Sequence, residues 1–134
     1  MRQGGCQCGG VRYECADTPL KLIVCHCAEC RKQSASAFGM TYQVPKTAFR
    51  LTRGAPRFWT RASEHGATVV CAFCPECGSR VWHASSRTPD CINVKAGSLD
   101  EPVDISGAMH IWTDRCLPGV VIPPGALQFA QQPV

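Results

Sequence analysis

The sequence predicts a mainly β domain with at most one short helix. Two observations lead there. The apolar residues fall in short runs separated by Gly, Pro and Asp, the pattern of strands joined by turns. The 134 residues also hold ten prolines and twelve glycines, which suit a turn-rich β fold and would interrupt helix interiors.

The elements follow in order. Gly10 to Cys15 (GVRYEC) alternates in polarity after a glycine turn. Leu20 to Cys25 (LKLIVC) reads as a buried strand. Phe38 to Val44 (FGMTYQV) is another, stopped by Pro45. Phe49 to Leu51, Arg57 to Thr60, Ala67 to Phe73, Arg80 to His83, Ile92 to Lys95 and His110 to Trp112 complete the set. Only Cys27 to Ser36 offers a helix, because Ala28, Glu29, Arg31, Lys32 and Gln33 are good helix formers. The chain reads as one domain, residues 1–134. From about Pro118 it turns Pro- and Gly-rich, a tail expected to wrap the surface or fray.

Charge and hydropathy narrow the partners. The net charge is +4, and the fourteen Lys and Arg are spread along the chain. A nucleic-acid footprint would cluster them, so no nucleic-acid partner is expected. The most apolar stretches, LKLIVC and GVVIPPGAL, are too short to span a bilayer. The start, MRQGGCQCGG, lacks the apolar run of a signal peptide. A reducing, cytoplasmic home is therefore expected. On assembly the sequence allows a homodimer and says no more.

Eleven cysteines approach the density of a disulfide scaffold. Their count is odd, and their spacing points elsewhere. Cys6-x-Cys8, Cys25-x-Cys27-x2-Cys30 and Cys74-x2-Cys77 are close sets of the kind that ligate metal. Thiolates on zinc would also lower the true charge below the formal one.

Cys74-Pro75-Glu76-Cys77-Gly78 resembles a zinc knuckle. Its loop aims backbone N–H groups at the sulfurs, and its glycine takes the left-handed turn. Cys6-Gln7-Cys8-Gly9-Gly10 offers two thiolates on one face if that segment is extended. Together these two pairs close a four-sulfur structural site. Cys25, Cys27 and Cys30 then remain as a group. Cys25 and Cys27 share a strand face, and Cys30 returns from the first helical turn. Three such ligands with a free fourth position describe many catalytic zinc sites. Spacing also allows another partition. Cys27-x2-Cys30 and Cys74-x2-Cys77 could pair as a zinc ribbon and leave Cys6, Cys8 and Cys25 over.

Three segments, GGCQCGGVRYE, CHCAECRKQSASAF and FCPECGSRVW, resemble the motifs of the glutathione-dependent formaldehyde-activating enzyme family, which includes centromere protein V. INVKAGSLDEP and HIWTDR resemble later pieces of it. The likeness runs from about Gly4 to Arg115. It implies a β-tent fold similar to methionine sulfoxide reductase B. It implies a structural zinc on Cys6, Cys8, Cys74 and Cys77 and a second zinc on Cys25, Cys27 and Cys30, two ions per chain. The implied activity is that of a carbon–sulfur lyase working toward synthesis. It joins a thiol such as glutathione to formaldehyde, or to a similar small aldehyde, at an open three-cysteine zinc. Two other functions stay open: a non-catalytic zinc-stabilised module or glutathione carrier, and a redox enzyme of the methionine sulfoxide reductase B type with one structural zinc and a reactive cysteine among Cys91 and Cys116. Two places depart from the family pattern. Cys71 stands where many relatives have a basic residue, and Cys116-Leu117-Pro118-Gly119 follows Arg115 where relatives often have tryptophan.

The remaining chemistry-bearing residues have plainer readings. Arg31 and Lys32 follow the second cysteine motif and are candidates to meet the carboxylates of a glutathione-like thiol. Cys71 is either a buried small hydrophobe or a fourth ligand of the second site. Cys15, Cys91 and Cys116 read as packing residues. His26 points away from its flanking cysteines if the chain there is extended. His83 and His110 read as hydrogen-bonded structural residues and His65 as a loop residue. Arg50, Arg53, Arg57 and Arg61 read as surface charge.

Overall fold

The computed structural model describes residues 1–133. It is mainly β, as the runs predict. Each predicted strand forms. β1 (Arg2–Gly5), β2 (Arg12–Cys15) and β5 (Phe49–Arg53) make a three-stranded sheet in the order β1-β2-β5. The larger sheet holds β3 (Lys21–Cys25), β4 (Gly39–Pro45), β6 (Arg57–Ala62), β7 (Thr68–Phe73), β8 (Arg80–Ser85), β9 (Cys91–Lys95) and β10 (Met109–Ile111). Its order is β10-β3-β4-β9-β8-β7-β6. β10 lies parallel to β3, and the other pairs are antiparallel.

The main core lies between the sheets. Tyr13, Cys15 and Val11 from the small-sheet side meet Tyr42, Val44, Ala72, Val81, Trp82, Ile92 and Val94 from the large sheet. Both buried tyrosines satisfy their hydroxyls. Tyr42 donates to the Asp17 and Ala16 carbonyls, at 2.6 and 2.9 Å. The Tyr13 and Ser98 hydroxyls share a bond at 2.6 Å. Such pairing lets a phenol ring bury its apolar area without stranding a polar atom. Two leaning sheets with this core fit the β-tent expectation.

The helix α1 (Ala28–Ser34) sits where the helix formers predict it. Cys27 caps its start, and the Cys27 thiol accepts from the Cys30 N–H at 3.3 Å. Ala35 ends it at φ 50°, ψ 41°, in the left-handed region. A residue with a Cβ is disfavoured there by about 1–2 kcal/mol, and glycine is not. Glycine also enlarges the unfolded ensemble, which returns part of that gain. Ala35→Gly should therefore stabilise the zinc-loaded protein by about 0.5–1 kcal/mol in urea denaturation. A net loss of stability would mean the helix end is held by something other than this backbone conformation.

β1 is the one strand the apolar pattern does not announce. Its sequence, RQGG, has no alternation to read. It forms because Gly4 fits under Tyr13, in register as Gly4 to Tyr13 against β2. The Pro- and Gly-rich tail is also more ordered than composition suggests. His110 and Phe129 exchange backbone bonds with the tail, His110 N–H to Leu127 O at 2.8 Å and Phe129 N–H to His110 O at 2.9 Å. Trp112, Thr113 and Asp114 continue the pairing with residues 129–131.

Candidate metal centres

Strand order places the chemistry at one end of the large sheet. β3 ends there at Cys25, opposite Gly39 where β4 begins. β9 ends there at Lys95, opposite Thr41. β8 begins there at Arg80, opposite Phe73, the last residue of β7 before Cys74. Reading across β3, β4, β9, β8 and β7, one cysteine cluster sits at each side of that end.

The four-sulfur cluster joins Cys6, Cys8, Cys74 and Cys77, with all sulfurs within 4.8 Å of one another. Cys6 to Cys8 is 3.6 Å and Cys8 to Cys74 is 3.7 Å. Tetrahedral zinc with bonds of about 2.3 Å sets its sulfurs about 3.8 Å apart. Disulfide sulfurs would lie at about 2.05 Å. The donor set therefore fits zinc.

Two similar turns build the cluster. Gly9 N–H bonds the Cys6 carbonyl at 3.1 Å, and Gly78 N–H bonds the Cys74 carbonyl at 2.9 Å. Both glycines have positive φ, 80° and 79°, which a side chain would resist. Cys6 and Cys8 thus sit around a turn, not along the extended segment that would put them on one strand face. The turn then lets Val11 and Gly10 N–H groups reach the Cys6 and Cys8 sulfurs, at 3.2 and 3.4 Å.

Ser79 ties the two turns together, and nothing in the spacing pointed to it. Its oxygen accepts from the Gln7 N–H at 3.0 Å, and its hydroxyl donates to the Cys77 sulfur at 3.3 Å. The Ser79 hydroxyl and backbone N–H pull the Cys77 thiol down to about 5. At Cys8 the Gly10 N–H is outweighed by the Cys6 and Cys77 thiols, and the group is pushed up to about 12. A cluster that holds some sulfurs as thiolates and others as thiols is short of positive charge, which a metal ion supplies.

Cys25, Cys27 and Cys30 form the second cluster, again within 4.8 Å. Cys25 is buried, whereas Cys27 and Cys30 are half-buried. Cys25 comes from the end of β3, Cys27 from the helix cap and Cys30 from the first turn. The Cys25 and Cys30 thiols pull Cys27 down to about 2. Cys25 rises in response, through Cys27, Cys30 and burial. Cys30 is lowered by Cys25, but Cys27 and burial outweigh this and leave it at about 11. Among the described residues no fourth His, Cys, Asp or Glu joins this group. Ile23, Ile111, Trp112, Met109 and Phe129 surround it with apolar surface.

This grouping excludes the zinc-ribbon partition. Cys27 and Cys30 stand in one cluster, Cys74 and Cys77 in the other. Cys71 joins neither. It is buried in β7, paired with Trp59 and His83 in register. Cys15 is buried in the main core, and Cys91 and Cys116 are half-buried.

The histidines take structural partners. His26 is fully buried, and its Nε2 lies 2.9 Å from His110 Nδ1. Burial lowers both below the usual imidazole value, with His110 adding to the effect on His26. His65 stacks on Trp112 from the β6–β7 turn. Arg31 is half-buried on α1, and its Nε is buried without a hydrogen-bond partner among the described residues. Lys32 is exposed on the same helix. Of the predicted surface arginines, Arg50 pairs with Glu14 and Arg61 with Glu29.

A second polar group, missed in the sequence, faces this end of the sheet. Lys95 Nζ donates to His83 Nδ1 at 2.9 Å. Burial and the nearby cations Lys95, Arg61 and Arg80 hold His83 well below 6.5, so its ring is neutral and accepts the bond. Asn93 pairs with His83 in register, and its Oδ1 accepts from Gln43 Nε2 at 3.0 Å. The signal was present as alternation, since Asn93 and Lys95 occupy the polar positions of INVK, but alternation does not say that both become enclosed.

Fold and site together define a cysteine-rich β protein with one four-thiol and one three-thiol cluster, each of which could hold a metal ion. The chain matches the family model described as glutathione-dependent formaldehyde-activating enzyme over residues 1–115, and it belongs to that family. A solved structure of a Rhodobacter sphaeroides protein shares the fold at a TM-score of 0.59, with 19% identity over 95% of this chain and 98% of that one. Among the described residues no helix is long and apolar enough to cross a membrane.

Proposed function

We propose that this protein joins a small thiol, glutathione or a close relative, to formaldehyde or a similar aldehyde at the Cys25–Cys27–Cys30 cluster. The observation that carries this reading is the incomplete donor set: three gathered thiols with no fourth protein ligand among the described residues. The four-sulfur cluster in the same chain is complete, so each can hold one zinc, and only one keeps a position for a substrate. Zinc bound at the three cysteines would supply the positive charge that keeps an incoming thiol ionised at neutral pH.

The chain's own residues do the rest. Cys25, Cys27 and Cys30 fix the reacting centre at the mouth of the sheet end, with Cys27 and Cys30 toward solvent. Ile111, Trp112 and Phe129 keep water from its inner side. The reaction needs little more than closeness. The thiolate sulfur attacks the aldehyde carbon, a carbon–sulfur bond forms, and the carbonyl π pair moves to oxygen, which takes a proton. Formaldehyde is reactive enough that holding the partners together accelerates this step.

Cobalt substitution tests the reading. Adding glutathione to the cobalt-loaded protein should change the visible absorption of the three-cysteine site. Exchange NMR should then show S-hydroxymethylglutathione forming faster than in buffer. An unchanged spectrum together with the spontaneous rate would reject it.

A further inference from the structure

A cleft of about 510 Å³ runs from Cys6 of the four-sulfur cluster to Gln33 and Ser34 on α1. It is lined at the helix end by Gln33, Ser34 and Phe38 and at the sheet end by Ser79, Arg80 and Lys95. We infer that this cleft is the binding site for the carboxylate-bearing body of the thiol substrate, with Arg80 and Lys95 as its anion-recognising residues. The inference rests on the reading of the three-cysteine cluster as the place where thiol and aldehyde meet.

Position is the first argument. Cys25 pairs with Gly39, Thr41 pairs with Ile23 on one side and Lys95 on the other. Residues two apart on a strand share a face. Cys25, Gly39, Thr41 and Lys95 therefore lie on one face. Gly39 has no side chain to stand between Cys30 and the cleft. A Cβ there would lie 3.0 Å from the Cys30 Cβ and 3.1 Å from the Gln33 amide nitrogen. A ligand in the cleft thus has Lys95 and Gln33 beside it, with Cys30 of the second cluster behind Gln33 and Gly39 rather than on the lining itself.

Charge is the second argument. Asp100 is the one carboxylate on the lining, and Arg12 forks onto it. Arg80 makes no ion pair among the described residues. Its guanidinium lies over the Trp59 ring, 5.4 Å from the centroid. That contact occupies no hydrogen-bond acceptor, and the guanidinium N–H groups can make a bidentate carboxylate contact. Lys95 gives one N–H to His83 and keeps two. His83, being neutral, orients the ammonium without cancelling its charge. The lining is left with two uncommitted cations, while the hydroxyls of Ser34, Ser79 and Ser98 are already engaged within the protein.

Size and chemistry then select the ligand. The volume falls within the range of about 300–1,000 Å³ typical of small-molecule sites. A peptide-like thiol with one or two carboxylates satisfies both cations. Simple alkyl thiols would leave the cations unpaired.

The experiment is calorimetric titration of zinc-loaded protein with S-methylglutathione, which keeps the carboxylates but has no thiol to ionise. Arg80→Gln and Lys95→Gln should each weaken its binding about tenfold or more, the value of a charge-assisted contact. Lys46→Gln, at the opposite end of β4, should bind as the unaltered protein does. Arg80→Lys should recover part of the loss, since it restores charge without the fork. Should a variant fold poorly, the diester of S-methylglutathione replaces it, and the unaltered protein should bind that probe about tenfold more weakly. Affinities within about threefold across the Arg80 and Lys95 variants, or for acid and diester alike, would overturn the inference. The two readings fail separately. If cobalt-loaded protein responds to mercaptoethanol while the Arg80 and Lys95 variants bind normally, the cleft alone is wrong. If S-methylglutathione binding follows Arg80 and Lys95 but no thiol perturbs cobalt, the open-site reaction alone is wrong.

Discussion

Cys74→Ser should unfold the protein, and so should stripping its metal with a strong chelator. The four-sulfur cluster closes a loop from residue 6 to residue 77 and joins the small sheet to the β7–β8 turn. Cys6 and Cys74 are also part of the main core, with Cys77 packed against it. Structural zinc in small domains contributes about 10–16 kcal/mol of apparent binding free energy, coupled to folding. The whole net stability of a domain is about 5–15 kcal/mol. Losing the ion therefore exceeds what the core can cover. Removing one ligand also leaves three thiols crowded without their counter-charge. Circular dichroism melts with simultaneous zinc release would follow the collapse. A chelated protein that still melts within a few degrees of the loaded one would show that the core alone holds the sheets together.

Cys27→Ser should do the reverse, sparing the fold and emptying the second site. Metal content should fall from two ions per chain to one. The cobalt response to glutathione and any acceleration of adduct formation should disappear. The reason is local geometry. Cys25, Cys27 and Cys30 span one corner between β3 and α1, so an ion there closes no long loop and removes little chain entropy. Serine is a good helix cap and would take over the bond that the Cys27 sulfur makes to the Cys30 N–H. The stability loss should stay near 1 kcal/mol in denaturant titration. Loss of both ions, or of neither, would contradict the division of the cysteines into two independent centres.

The two expectations differ because the same chemistry sits in different topology, and only part of that topology is written in the spacing. The strands were legible where side chains alternate or run apolar, as in LKLIVC and FGMTYQV. RQGG was not legible, because β1 is specified by the space under Tyr13 and by pairing with β2. The helix was readable from its formers, but not its left-handed end at Ala35, where glycine would be the usual signal. Composition left the tail either wrapping the surface or fraying. It pairs through backbone groups with residues 110–114, and backbone pairing leaves no mark on side-chain chemistry.

The cysteine sets show the division most clearly. Spacing by itself pointed to metal ligation by close pairs and a triplet, since Cys-x-Cys and Cys-x2-Cys bring sulfurs together through local backbone geometry alone. Which pair meets which is a question of distance across the chain, and spacing alone did not exclude the zinc-ribbon partition. The family resemblance implied the answer, and among physical observations the tertiary structure decided it. It set the end of β7 beside the first turn and left Cys25, Cys27 and Cys30 as a separate group. The same folding step brought Ser79 between the two turns and enclosed Lys95 with His83. Contacts of that kind depend on strand order, and strand order is fixed by burial of the whole sheet rather than by any local run of residues.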